Sequence, residues 1–439
     1  MKKIIVGLTF LSLLLTASCN VTDNVISPEP STDMPNGAGG YVKSNLERET
    51  SPEVEPSQVQ SLVEGNTAFA TAFYDQIRQQ SGNIIFSPIS LSLALSMTMA
   101  GAETTTEDAM LAALRMTLPE EEVYPAFNAL LLAIEESENA APEESEGSKF
   151  QLNIANSIWG QAGYDFKAPF LDTLARYFGA GVYNVDYIQD PEAARLAIND
   201  WVEEETKDKI QDLIPPGAIN DLTRLVLANA IYFNGSWLYP FSQNGTTEEP
   251  FYLLNGSEIT VEMMKLFGER LSYGEGEGYQ AVSLPYLSQD FAMTFLVPDS
   301  GEFAGFEESL NAEKLAGILN AMSAVQVDLR MPKFDFETAT DAKDPLKALG
   351  MSEAFDPDRA DFSGMTEAEK LLITDVLHKA TITVDEKGTE AAAATAVIVG
   401  ETSAMPGEPI SLIIDRPFLF VIRHEPTGTI LFMGRATQP

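Results

Sequence analysis

Residues 386–399 read Glu386-Lys387-Gly388-Thr389-Glu390-Ala391-Ala392-Ala393-Ala394-Thr395-Ala396-Val397-Ile398-Val399, directly after the β-type run Thr381-Ile382-Thr383-Val384. Beyond Gly388 the side chains are almost all small and no proline occurs before Pro406, so nothing in the segment bars it from a sheet. Gly388 can serve as a pivot at its start. Alanine is also the best helix former, and taken alone the segment fits an exposed Ala-rich helix or an acidic loop. As a strand, alternation puts Thr389, Ala391, Ala393, Thr395, Val397 and Val399 on one face, with Glu390, Ala392, Ala394, Ala396 and Ile398 on the other. Each backbone group that gained a ladder partner would contribute a net of roughly 1 kcal/mol, so a dozen residues could release on the order of 10 kcal/mol. That is enough to drive a conformational change.

Further blocks lie before and after this segment. In order they are Asn83-Ile84-Ile85-Phe86-Ser87-Pro88-Ile89-Ser90, Asn229-Ala230-Ile231-Tyr232-Phe233-Asn234-Gly235-Ser236-Trp237, Leu284-Pro285-Tyr286, Met331-Pro332-Lys333-Phe334 and Ala360-Asp361-Phe362-Ser363-Gly364. The chain closes with Asp415-Arg416-Pro417-Phe418-Leu419-Phe420 and Leu431-Phe432-Met433-Gly434-Arg435. Together with Glu386 to Thr395, these blocks resemble the serpin family across residues 57–439. The resemblance implies an α+β, serpin-like fold of three β-sheets surrounded by about nine helices, with an exposed reactive-centre loop at one pole.

It also implies a suicide inhibitor. A protease attacks the loop and forms an acyl-enzyme, and the severed loop inserts as a new strand of the main sheet before hydrolysis finishes. On this reading Glu386, Gly388, Thr389, Glu390, Ala391, Ala392, Ala393, Ala394 and Thr395 form the hinge. Counting from Glu386 at the family's interval puts the reactive bond at Thr402-Ser403; Ala404-Met405 is the second choice, because the stretch up to Pro417 is longer than usual. No Lys or Arg lies between Gly388 and Asp415, so a trypsin-like pocket built around a carboxylate has nothing to pair with. Elastase-like or subtilisin-like targets are expected. A non-inhibitory serpin-fold binding protein is the alternative.

The resemblance further assigns Ser87, Ser90, Asn229 and His378 to a polar cluster, the shutter, beneath the strands that part, and Trp237 to the breach at the top of the opening. Buried polar groups must find partners, so such a cluster can act as a latch. A hydrolase is rejected: His378 and His424 are the only histidines, no Gly-x-Ser-x-Gly elbow occurs, and Ser87 before Pro88 suits a helix cap. No zinc spacing or phosphate-cradling glycine loop is present, and no cofactor is implied.

The N-terminus has two lysines, an apolar run of twelve residues from Ile4 to Leu15 and small residues before Cys19. Residues 1–18 therefore read as an export signal, too short for a bilayer span of about 20 residues. Cys19 resembles the lipidated cysteine of a bacterial lipobox, although Thr16 stands where Leu is commoner; a plain secretory signal is the other reading. Cys19 is the only cysteine, so no internal disulfide can form. Residues 19–56, rich in Pro, Ser and Glu, read as a flexible tether, and 57–439 as one domain. The expected product is exported, as a cell-envelope lipoprotein held on the membrane through Cys19 or as a secreted protein.

With 65 acidic and 27 basic residues the formal charge is −38. Nucleic acid is excluded as a partner for want of clustered cations. The acidic runs Glu120-Glu121-Glu122 and Glu135-Glu136 argue against a heparin-like polysaccharide and fit a solvated surface. The expected partners are serine, or alternatively cysteine, proteases, met by a monomer. Periodicity predicts helices over residues 59–80, 90–100 and 193–213. It predicts strands over 225–233, 281–284, 291–297, 325–331, 371–384, 410–414, 418–424 and 429–433.

Overall fold

The computed structural model describes residues 38–142, 150–389 and 408–439. Its organising strand is β5, Leu225–Ser236, a run of apolar residues buried on both faces. Leu225, Leu227, Ile231 and Phe233 point into the main core. Val226, Ala228 and Ala230 on the opposite face meet a second cluster containing Trp159, Trp201 and Ile198. The small residues on that second face let helix α6, Pro191–Glu205, lie against the sheet.

Among the described residues, the sheet containing β5 has seven strands. In spatial order they are β1 (Ala38–Val42), β4 (Val182–Val185), β3 (Gln151–Gln161), β5, β13 (Gly388–Thr389), β12 (Asp375–Val384) and β11 (Phe334–Asp341). A second sheet runs β14 (Ile410–Ile413), β10 (Ser323–Pro332), β7 (Glu258–Gly276), β8 (Tyr279–Pro285), β9 (Phe291–Pro298), β15 (Phe418–His424), β16 (Thr429–Ala436) and β2 (Ile84–Phe86), with β6 (Thr247–Tyr252) beside β7. The three sheets expected from the resemblance are thus joined into two hydrogen-bonded sheets, because the 19-residue β7 pairs with β6 and β10 along one part and with β8 along another.

The other α-helices among the described residues are α1 (Pro56–Ile77), α2 (Pro88–Met99), α3 (Thr104–Ala113), α4 (Glu120–Ala140), α5 (Ala168–Thr173), α7 (Phe303–Glu308), α8 (Ala312–Ala321) and α9 (Lys343–Leu346). Every residue of α2 is buried. Its N-terminus is capped by the Ser87 hydroxyl, which accepts from the Ser90 N–H, with Pro88 in the first turn where its missing N–H costs nothing.

Two sequence expectations need correction. The helix predicted over 193–213 stops at Glu205, because the Thr206 hydroxyl donates to the Val202 carbonyl at 2.7 Å and accepts from the Ile210 N–H at 3.1 Å. Lys207 and Asp208 then turn the chain with φ of 53° and 63°. The described part of the expected tether is not loose either. β1 pairs with β4, and Arg48 donates from Nε to Asn128 Oδ1 at 2.9 Å and pairs with Glu135 of α4 at 2.5 Å. Beside it Arg176 pairs with Glu49 at 2.9 Å.

Candidate functional site

β5 and β12 form a fork. Their parallel ladder joins Val226–Ile231 to Asp375–Ala380. Above it β13 lies between the two strands and is antiparallel to both: Thr389 faces Gly235 on one side and Val384 on the other. The chain reaches this position through a tight turn after Val384. The Asp385 carboxylate accepts from the Lys387 and Gly388 N–H groups at 2.7 and 3.2 Å, and Asp385 N–H donates to the Gly388 carbonyl at 3.0 Å.

Gly388 was expected to be a pivot, but its φ lies outside the left-handed region; what it provides is close approach. A Cβ there would collide with the carbonyl oxygen of Gly235 and come within 2.8 Å of Ser236 Cα. Thr389 is only 1 % exposed. Its hydroxyl shares a 2.8 Å hydrogen bond with the phenol of the fully buried Tyr286. Trp237 stacks on Tyr286 with centroids 4.6 Å apart, donates from Nε1 to the Asp385 carbonyl at 3.0 Å, and gives its own N–H to Lys387 at 2.8 Å.

Glu386 is buried beside this turn. Its carboxylate pairs with Lys333 at 3.0 Å and accepts from the Thr246 hydroxyl at 2.6 Å, while its carbonyl accepts from the Phe241 N–H. Burial alone would raise the Glu386 carboxyl, but the hydrogen bonds from Thr246 and Lys333 hold it below the usual range. Tyr286, Lys333 and Thr246 had no role in the sequence reading. Tyr286 and Lys333 lie inside quoted family blocks, which was the available signal.

Lower in the fork, Ser87, Ser90, Asn229 and His378 come together, and a fifth residue joins them. Ser87 N–H donates to His378 Nε2 at 2.9 Å, which leaves the ring proton on Nδ1, facing Asn229 Oδ1. Asn229 Nδ2 donates to Ser90 Oγ at 2.7 Å and to Asn156 Oδ1. Asn156 also accepts from the Ser90 hydroxyl at 3.0 Å and returns a 3.1 Å bond to the Ser90 carbonyl. The cluster is closed on itself and crosses β3, β5 and β12 at the capped end of α2. Asn156 was missed because a lone Asn in the apolar run of β3 carries no local sign of its partners; its only signal was a polar residue in phase with the core-facing Leu152, Ile154 and Ile158.

The profile of the family described as "Serpin (serine protease inhibitor)" matches residues 64–439. This chain belongs to the serpin family. It is 36% identical to the pig (Sus scrofa) leukocyte elastase inhibitor over 393 residues, covering 87% of this chain and 100% of that protein. It is also 36% identical to an uncharacterised serpin-like protein of Methanosarcina mazei, covering 86% of this chain and 87% of that protein. Among solved structures, the thermophilic serpin tengpin in its native state superposes with a TM-score of 0.78 at 26% identity, over 91% of this chain and 98% of that one.

Membership of the serpin family supports protease inhibition and not catalysis. The histidine geometry of this serpin agrees: His378 receives a backbone N–H, not a serine hydroxyl. Of the assigned residues, Glu390 to Thr395, Thr402, Ser403, Ala404, Met405 and Cys19 lie outside the described residues.

Burial lowers the His378 imidazole to about 3. The unfolded chain binds this proton near pH 6.5 and the folded serpin does not, so the His378 contribution is fully present above pH 6.5 and is lost as pH falls towards 3. Between pH 7 and pH 5 the loss is about 2 kcal/mol. Urea unfolding at both pH values should show the gap in stability between wild type and His378→Gln shrinking by about that amount. A gap that does not change with pH would mean that His378 takes up its proton as readily in the folded state as in the unfolded one.

Proposed function

We propose that this serpin traps serine, or alternatively cysteine, proteases as a suicide substrate, by drawing the cleaved loop into the fork between β5 and β12. The observation that carries this reading is the position of Thr389, paired on both sides at the mouth of the fork. Continued downward, the same two registers would set Ala391 between Phe233 and Ile382, Ala393 between Ile231 and Ala380, and Val397 between Leu227 and Val376. Thr395 would fall between Asn229 and His378, the two residues whose direct hydrogen bond has to break when the strands part. A hydroxyl both donates and accepts, so it could replace that bond on both sides. The one polar residue of the inward face between Thr389 and Val399 would thus meet the polar pair in the middle of the slot.

The inserted strand would replace a parallel pairing with two antiparallel ladders, the more stable arrangement. The same register brings Thr402 level with Leu222, just beyond the lower end of β5, so an enzyme attached there would be carried the length of the sheet. Glu120, Glu121 and Glu122 at the start of α4 support the reading without a polysaccharide cofactor. We take the protein to be an exported monomer, held on the envelope by a lipidated Cys19 or released.

Incubation of the mature protein with elastase, subtilisin and trypsin tests this. Elastase or subtilisin should give an adduct that survives boiling in detergent and release a C-terminal peptide beginning at Ser403; trypsin should give neither. Cleavage without any adduct would instead indicate a non-inhibitory binding protein.

A further inference from the structure

The direction of β1 determines where the N-terminal tether leaves the domain. β5 runs from Leu225 up to Ser236 at the mouth of the fork. β3 is antiparallel to it, with Gly160 opposite Leu225, and β4 is parallel to β3, with Val185 beside Gln161 at that same lower end. β1 is antiparallel to β4 and begins with Ala38 opposite Val185. The chain therefore joins the sheet at the pole opposite the hinge and climbs from there.

We infer that this lower pole is the membrane-facing one, and that the tether must be long enough to leave room for a captured protease between domain and bilayer. The inference rests on the suicide mechanism and the lipid anchor proposed above. The loop strand would run downward between β5 and β12 and end past Leu225, four strand positions from β1, or about 19 Å. Cargo and tether then share one pole.

A protease domain of about 200 residues is roughly 40 Å across. The 18 residues from 20 to 37 reach at most about 60 Å when extended, which admits such a body. Removing residues 22–35 leaves a reach of about 14 Å, which does not. Arg48, through Asn128 and Glu135, and the β1 pairing hold the strap to the domain, so slack cannot be drawn from residues 38–55 without breaking these contacts.

The test uses the mature chain coupled through Cys19, its only thiol, to phosphatidylcholine vesicles carrying a maleimide lipid. Wild type and a variant lacking residues 22–35 are titrated with elastase, both free and coupled. The two free proteins and the coupled wild type should need the same amount of inhibitor per protease trapped. The coupled short variant should need about threefold more or worse, since even a small barrier to insertion shifts its competition with deacylation exponentially. Equal trapping by the coupled short variant would overturn the assignment of poles. Failure of the free proteins to trap would overturn the suicide mechanism, and the inference with it. Native lipidation is read separately, by flotation of wild type and Cys19→Ser with membranes from exporting cells. Absence of wild type from the floating fraction would overturn the role of the tether in the cell, whatever the coupled vesicles show.

Discussion

Replacing Thr389 by arginine is expected to turn the inhibitor into a substrate. Thr389 is almost fully buried, hydrogen-bonded to Tyr286 and held between Gly235 and Val384. A guanidinium there would face the core side of the sheet, and Glu386, the buried acid of the turn, is already paired with Lys333. Burying an unpaired charge costs several kcal/mol, and each 1.4 kcal/mol added to the barrier slows insertion about tenfold. Deacylation proceeds unhindered, so hydrolysis wins. Gel analysis with elastase should show the detergent-stable adduct falling by more than about tenfold while loop cleavage continues. Thr389→Ser, which keeps the hydroxyl and the small volume, should still trap. If the arginine variant traps protease one for one, the inward face has been misassigned.

Cleavage itself should produce the second large effect. In the intact protein β5 and β12 pair directly below the fork, and insertion would exchange that short parallel ladder for two antiparallel ones, a net gain of about ten hydrogen bonds at roughly 1 kcal/mol each. A stabilisation on the order of 10 kcal/mol raises the melting temperature of a domain this size by at least about 10 °C. Calorimetry of intact protein against protein nicked within the loop measures this directly. Equal melting temperatures would show that the severed segment stays outside the sheet, and would leave a protein that is cut without consequence.

Much of this architecture was legible in the residues. β15 was predicted to the residue, α1 and α2 within three, and β8, β9, β10 and β16 in place, because each has a strong apolar period and clear turns at its ends. Ser87, Ser90, Asn229 and Trp237 were found through quoted family blocks and His378 through the resemblance alone, whereas Asn156 was not found, since it pairs with residues 66 and 73 positions away. β1 was hidden for a similar reason. Five residues with two adjacent glycines carry no periodicity, and what fixes them is pairing with Val182–Val185 far along the chain, while Arg48 just beyond them reaches 80 and 87 positions to Asn128 and Glu135. The end of α6 depended on one threonine hydroxyl, and the service of Gly388 on a neighbouring backbone. Neither can be read from composition.

The placement of α6 over the second face of β5 bears on the alanines that face outward. In the register proposed for the loop, Ala394 would lie beside Ala230, Ala396 beside Ala228 and Ile398 beside Val226, on the face of the sheet that carries the helix whose Trp201 packs against Trp159. Beside residues 394 and 396, β5 itself offers only alanine, Ala230 and Ala228, to the cluster that contains Ile198, Trp201 and Val202 of that helix. The outward alanines would then extend the same run of small side chains across that packed face, so a bulkier residue at 394 or 396 would have to displace the cluster above it as the sheet closed.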